Sequence, residues 1–185
     1  MSKLQSPGDI RCWHSEFASV TIESKFLHDH GNVIQGESVR SLAFCGIFFC
    51  AFGLADLAQL GYGDQALALF LARLMVMIAA LIGIVMIRRS SNPARTAYRV
   101  ATVFTSLAML TFLLVAYFRG DLLLHGMSMA IMLIIVYLFI PNRLVNATIV
   151  ALSASIAFLG LVYAVDMISV RQLSTMTMLL ILANL

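Results

Sequence analysis

The chain has 185 residues, of which 61% are hydrophobic and only 11% are charged, and its formal net charge is +3. A soluble globular domain is close to half apolar and a quarter charged, so 12 Lys and Arg with 9 Asp and Glu cannot cover a water-soluble surface of this size. This composition excludes a water-soluble enzyme and, because the apolar content is so high, a disordered chain. It predicts an all-α integral membrane protein whose main partner is the lipid bilayer.

The first 39 residues form a polar leader that is expected to lie in the cytoplasm. Residues 13 to 27 place four apolar side chains on one helical face: Trp13, Phe17, Val20 and Leu27. This spacing predicts an amphipathic helix that lies on the cytoplasmic membrane surface or against the rest of the protein. The alternative is a disordered leader whose periodicity is accidental.

The rest of the chain, 40–185, is predicted to be a bundle of transmembrane helices, because a bilayer core of about 30 Å takes about 20 apolar residues as a helix. Six spans are expected, at about 41–60, 66–87, 97–118, 122–140, 144–165 and 173–185. At about 1.5 Å per residue the sixth run reaches only about 20 Å. Either it stops partway or the chain is a piece of a longer protein. We expect truncation, because a helix that ends in hydrocarbon leaves its last carbonyl groups unsatisfied.

Lysine and arginine positions predict the orientation of the bundle. With the N-terminus in the cytoplasm, the inner segments hold nine cationic residues: Lys3, Arg11, Lys25, Arg40, Arg88, Arg89, Arg95, Arg99 and Arg143. The outer segments hold two, Arg119 and Arg171, and Arg73 lies within the second span. This asymmetry is the positive-inside pattern, and a completed sixth helix would put both termini in the cytoplasm.

Three ionisable residues lie in one layer near the outer leaflet, and a charge inside a membrane needs a physical reason. Asp56 lies about one turn before the outer end of the first span, Arg73 about two turns into the second, and His125 enters the fourth from the same side. One interpretation is a shallow outward-facing pocket that binds a small ligand or titrates, with Asp56 and Arg73 as its charged floor. The other is a structural ion pair, or side chains that extend to the headgroups.

Other patterns point to packing and away from catalysis. Ala147, Ala151 and Ser155 recur on one face of the fifth span, which favours close packing within the bundle first and a homodimer contact second. The spacing of His28 and His30 does not put two ligands on one helical face, so no metal site is expected. The chain has no phosphate-binding loop, nucleophile elbow or paired catalytic carboxylates, so neither catalytic residues nor a cofactor are expected. The basic residues are scattered, which argues against a nucleic-acid partner.

The order of several features resembles a known family. Phe17, Glu23, Phe26 and Leu27 precede the basic Arg40, the first span ends in Phe52-Gly53-Leu54-Ala55-Asp56-Leu57, and the second carries the early Arg73. This order, over about 15–185, resembles the multi-helix membrane-associated sensor (MASE-like) regions at the N-terminus of bacterial diguanylate cyclases and some class III adenylate cyclases.

The resemblance implies a sensory input module in the bacterial inner membrane. An outer-face signal would change helix packing, and the sixth helix would relay it to a dimeric cytoplasmic output, such as a cyclic di-GMP-forming GGDEF domain or an adenylate cyclase domain. That output is absent from these residues, so any enzymatic activity would belong to the parent protein. The alternative is a small polytopic transporter, which would need an inverted repeat and broken helices at the midplane. A membrane-embedded enzyme would need a deep cluster of His, Ser or acidic residues.

Overall fold

The computed structural model describes residues 10–11, 16–17, 20–61, 63–165 and 170–185. A two-residue antiparallel strand pair, β1 (Ile10–Arg11) and β2 (Glu16–Phe17), precedes the helices. The helices are α1 (Val20–Leu60), α2 (Asp64–Arg89), α3 (Pro93–Arg119), α4 (Leu122–Phe139), α5 (Leu144–Ala164) and α6 (Val170–Asn184). The predicted all-α fold class is confirmed.

Helix length and composition identify a membrane protein. Four segments are long and apolar enough to cross a bilayer: Asp29–Ala58 within α1, Asp64–Arg89, Pro93–Arg119 and Leu144–Ala164. The helices α4 and α6 hold shorter apolar stretches, Leu124–Phe139 and Gln172–Asn184. Large apolar side chains such as Leu138 and Met178 face outward, which is the surface expected of a protein whose surroundings are lipid.

The helices α2 to α6 each coincide with one predicted span to within about one turn. Individual prolines and glycines explain where several of the helices begin or end. Pro93 occupies the first turn of α3, where a missing N–H costs nothing. Gly61 and Gly120 follow α1 and α3 with φ of 71° and 69°, a left-handed conformation that ends a helix and that glycine adopts without strain.

The first helix differs from the sequence prediction. α1 begins at Val20 and continues through residue 40, where we expected a division between leader and bundle. It is about 60 Å long, twice the bilayer core of about 30 Å. Of the predicted amphipathic face, Trp13 lies outside the described residues and Phe17 lies in β2.

The amino-terminal half of α1 packs against the rest of the protein. Leu27 and Ile34 are buried, and Glu23 forms an ion pair with Arg143, which immediately precedes α5. This half of the helix therefore has tertiary contacts of its own.

Small residues allow the central helices to approach closely. A Cβ placed on Gly83 of α2 would lie 2.5 Å from Cγ1 of Val100 on α3, closer than any real contact. On α5, Ala147, Ala151 and Ser155 are all buried within the chain. The small-residue face of α5 is thus used for packing inside the bundle.

Candidate functional site

The predicted site residues lie at the end of the bundle where α1 meets α2 and α3 meets α4. Asp56 is near the end of α1, Arg73 is in the first half of α2, and Arg119 is the last residue of α3. Because successive helices run in opposite directions, the end of α1, the beginning of α2 and the end of α3 meet at one level.

Asp56 is bound by two arginines. Nε of Arg73 donates to Oδ2 of Asp56 at 2.7 Å, and Nη1 of Arg119 donates to Oδ1 at 3.0 Å. The Asp56 side chain is 1% exposed, and those of Arg73 and Arg119 are 11% and 24% exposed. We call these three residues the Asp56 cluster. A single carboxylate therefore joins α1, α2 and α3, and the cluster carries a formal charge of one positive unit.

Two aromatic rings and a glycine near the end of α1 lie next to Arg73. Its guanidinium carbon lies 6.0 Å from the ring centroid of Phe49 and 5.7 Å from that of Phe52, within the range of cation–π attraction. A Cβ on Gly53 would come within 3.3 Å of Cδ of Arg73 and 3.1 Å of the Phe70 ring, so the absence of a side chain there makes room for both. Phe52, Gly53 and Asp56 of the Phe-Gly-Leu-Ala-Asp-Leu run therefore lie beside one arginine.

Arg119 is the residue that sequence analysis missed. It was assigned to a loop, but it ends α3, and the left-handed Gly120 follows with its N–H bonded to Ala116 at 3.2 Å. Asp121 then caps α4 by accepting a hydrogen bond from the N–H of Leu124 at 3.4 Å. The charge pattern carried only a partial signal: it placed a cation at about the depth of Asp56, but the sequence does not show how closely α3 approaches α1.

His125 is bonded elsewhere. It is 6% exposed, its Nδ1 lies 2.6 Å from the backbone oxygen of Asp121, and its ring centroid is 5.9 Å from that of Phe112. Because a carbonyl oxygen only accepts, Nδ1 carries the proton. Of the three residues expected in the pocket, the structure thus joins Asp56 and Arg73 directly and bonds His125 within its own helix.

The Asp56 cluster buries charged groups and also leaves hydrogen-bond donors of Arg73 for a further acceptor. Removing charges from water is expensive; the carboxylate of Asp56 is compensated by two guanidinium groups, which share this one carboxylate and leave one net positive charge. The bond from Arg73 to Asp56 uses only Nε, so the Nη groups of Arg73 can donate to an additional acceptor. The ion pair of the second interpretation is present, and the ligand role of the first stays a prediction.

Comparison with known proteins adds no relative: no family model, no curated protein and no solved structure matches the chain.

Proposed function

We propose that the protein is a membrane-embedded signal-input module. A cue at the membrane face that carries the Asp56 cluster changes the packing of α1, α2 and α3. The sixth helix passes this change to a dimeric cytoplasmic nucleotide-cyclase output, such as a diguanylate cyclase domain, outside residues 1–185. The observation that carries the proposal is the double ion pair on Asp56, because it makes the arrangement of three helices depend on one carboxylate.

A cue acts by competing for the arginines. An acidic ligand that binds Arg73 or Arg119 weakens their hold on Asp56 and so favours a different packing of the three helices. The cue needs only to bind one packing better than the other, and moving a population from 1:99 to 99:1 takes about 5.5 kcal/mol of differential binding. The partial exposure of both arginine side chains gives such a ligand a route to the cluster.

The proposal includes an orientation in the bacterial inner membrane. Nine lysines and arginines lie on segments assigned to the cytoplasm and two on the opposite side, which favours a cytoplasmic N-terminus. The Asp56 cluster then faces outward, where an external cue reaches it first.

A transporter is the alternative, and two features of the described residues favour the sensor. Many secondary transporters place their substrate sites near the midplane, between helices that are broken there. In the described part of the chain, α1 to α5 run unbroken, and the Asp56 cluster lies near the helix ends. Uptake of a solute into vesicles that contain the purified chain would support the transporter instead.

The experiment joins Leu185 to the catalytic domain of a diguanylate cyclase and measures cyclic di-GMP in cells. We expect Arg73→Ala to change the output several-fold, because it removes one of the two bonds that hold Asp56. Arg95→Ala is the matched control, since Arg95 is an exposed arginine away from the cluster. Unchanged output from Arg73→Ala, with normal membrane insertion, would contradict the proposal.

A further inference from the structure

A second polar feature lies at the opposite end of the bundle from the Asp56 cluster. A cavity of about 550 Å³ opens between the middle of α1 and the connection from α4 to α5, with Glu37, Arg40 and Asn142 in its lining. Its volume is typical of small-molecule sites, which are about 300–1,000 Å³. Arg40 is separated from Asp56 by about 24 Å along α1, so the cavity is a separate site.

Among the described residues, Glu37 and Arg40 do not form an ion pair with each other. The ion pairs of the described residues join other partners, and the hydrogen bond of Arg40 runs from Nε to the backbone oxygen of Gly36 at 3.3 Å. Both Glu37 and Arg40 are exposed. The cavity therefore offers a carboxylate, which binds an ammonium group, beside a guanidinium, which binds a phosphate.

Another part of the lining is apolar and lies on the outside of the bundle. Leu138 and Phe139, at the end of α4, are 72% and 64% exposed. The hydroxyl of Ser41 donates to the backbone oxygen of Phe139 at 2.6 Å and so holds this wall against α1. Arg40 directly precedes the apolar run of α1, which puts the polar part of the cavity at the level of lipid headgroups.

We propose that this cavity binds the headgroup of a zwitterionic aminophospholipid from the adjoining leaflet. Arg40 contacts the phosphate, Glu37 contacts the primary ammonium, and Leu138 and Phe139 contact the glycerol and the first part of the acyl chains. A phosphatidylcholine has no N–H to donate to Glu37, and a phosphatidylglycerol brings no cation. Phosphatidylethanolamine satisfies both charges. This inference does not depend on the proposed sensory function.

The test reconstitutes the full chain in nanodiscs that contain equal amounts of phosphatidylethanolamine, phosphatidylcholine and phosphatidylglycerol with matched acyl chains. The protein is released with mild detergent, and the lipids that it retains are counted by native mass spectrometry. We expect phosphatidylethanolamine to be enriched about two- to fivefold over its share of the bilayer, which is the effect of one partly exposed ion pair.

Two variants separate the contributions of the charges. Glu37→Gln should reduce the retained phosphatidylethanolamine to its bilayer share, and Arg40→Gln should reduce the retention of all three lipids. Asp29→Asn on α1 and Arg88→Gln at the end of α2 are the matched controls, because both residues are exposed and lie outside the cavity. Both controls should behave as the unmodified protein.

Three results would overturn the proposal. One is retention at the bilayer ratio, and another is enrichment that survives both Glu37→Gln and Arg40→Gln. The third is displacement of the lipid by an equimolar amount of soluble glycerophosphoethanolamine, which would show that the acyl chains add nothing and would assign the cavity to a free phosphoethanolamine compound.

Discussion

Asp56 shows how one residue can be unfavourable alone and stabilising in context. With 1% of its side chain exposed, it would be costly as an isolated charge, but two guanidinium groups compensate it. Arg73 and Arg119 are in turn compensated by Asp56. Removing one member of the Asp56 cluster should therefore lower the free energy of unfolding more than replacing all three members with apolar residues.

We expect Asp56→Ala to lower the free energy of unfolding by about 3–5 kcal/mol, since it leaves two partly buried arginines without their carboxylate. The triple variant Asp56→Leu, Arg73→Leu and Arg119→Leu should recover most of that loss while abolishing the proposed response. Detergent unfolding titrations measure the stability, and Asp29→Ala, at an exposed position on the same helix, is the control. Equal losses in the single and triple variants would contradict the explanation.

A second prediction at the residue scale concerns Gly83. A new methyl group there would meet Cγ1 of Val100, whose branched side chain has little freedom to move. Gly83→Ala should therefore cost about 1–3 kcal/mol of unfolding free energy.

Gly160→Ala on α5 is the matched control, because nothing lies within 4 Å of the added Cβ. It should be neutral or stabilise by up to about 1 kcal/mol, through helix propensity. A neutral Gly83→Ala would show that α2 and α3 can separate freely.

At the scale of elements, the helices α2 to α6 lie on the apolar runs of the sequence, whereas α1 also extends over the polar residues before position 40. Span lengths follow from the lipid thickness, and glycines and prolines mark the helix ends, so local patterns were sufficient there. The continuity of α1 could not be read in this way. The change from polar to apolar residues at position 40 marks a change of solvent, and a helix can continue through it when no proline or left-handed glycine intervenes.

The end of α6 is attached to its neighbours by one side chain. Nδ2 of Asn184 donates to Oγ of Ser155 on α5 at 3.0 Å, and Oδ1 accepts from the hydroxyl of Tyr137 on α4 at 3.3 Å. Tyr137 also lines the cavity that contains Glu37 and Arg40. This arrangement places the end of the proposed relay helix in contact with two others.

We expect Asn184→Ala to lower the free energy of unfolding by about 0.6–1.7 kcal/mol, which are the average and the maximum for hydrogen bonds between membrane helices. Met178→Leu, at a position that is 72% exposed on the same helix, should have little effect. Detergent unfolding of the two variants provides the comparison. A loss no larger than that of Met178→Leu would mean that α6 is held by apolar packing alone.

At the scale of the whole molecule, one end carries the Asp56 cluster and the other carries the cavity that contains Glu37 and Arg40. The pairing of Asp56 with Arg73 could be anticipated, because both lie at one depth on helices joined by a short connection. The second bond from Arg119 could not, since it depends on how closely α3 approaches α1, which the spacing of residues along the chain does not encode. His125 was grouped with Asp56 and Arg73 only because it lies at a similar depth in the membrane. The depth of a residue does not determine the direction in which its side chain points from the helix.

An outward-facing Asp56 cluster is the condition for sensing an external cue, so membrane orientation provides the most direct test. Single cysteines are introduced as Gln65→Cys, beside the α1–α2 connection, and Ser91→Cys, between α2 and α3, after Cys12, Cys45 and Cys50 are replaced by serine. Both positions are exposed. In intact cells an impermeant maleimide should label Gln65→Cys and should reach Ser91→Cys only after the membrane is opened. Labelling of Ser91→Cys in intact cells, with Gln65→Cys protected, would place the Asp56 cluster on the cytoplasmic side and contradict the proposed function.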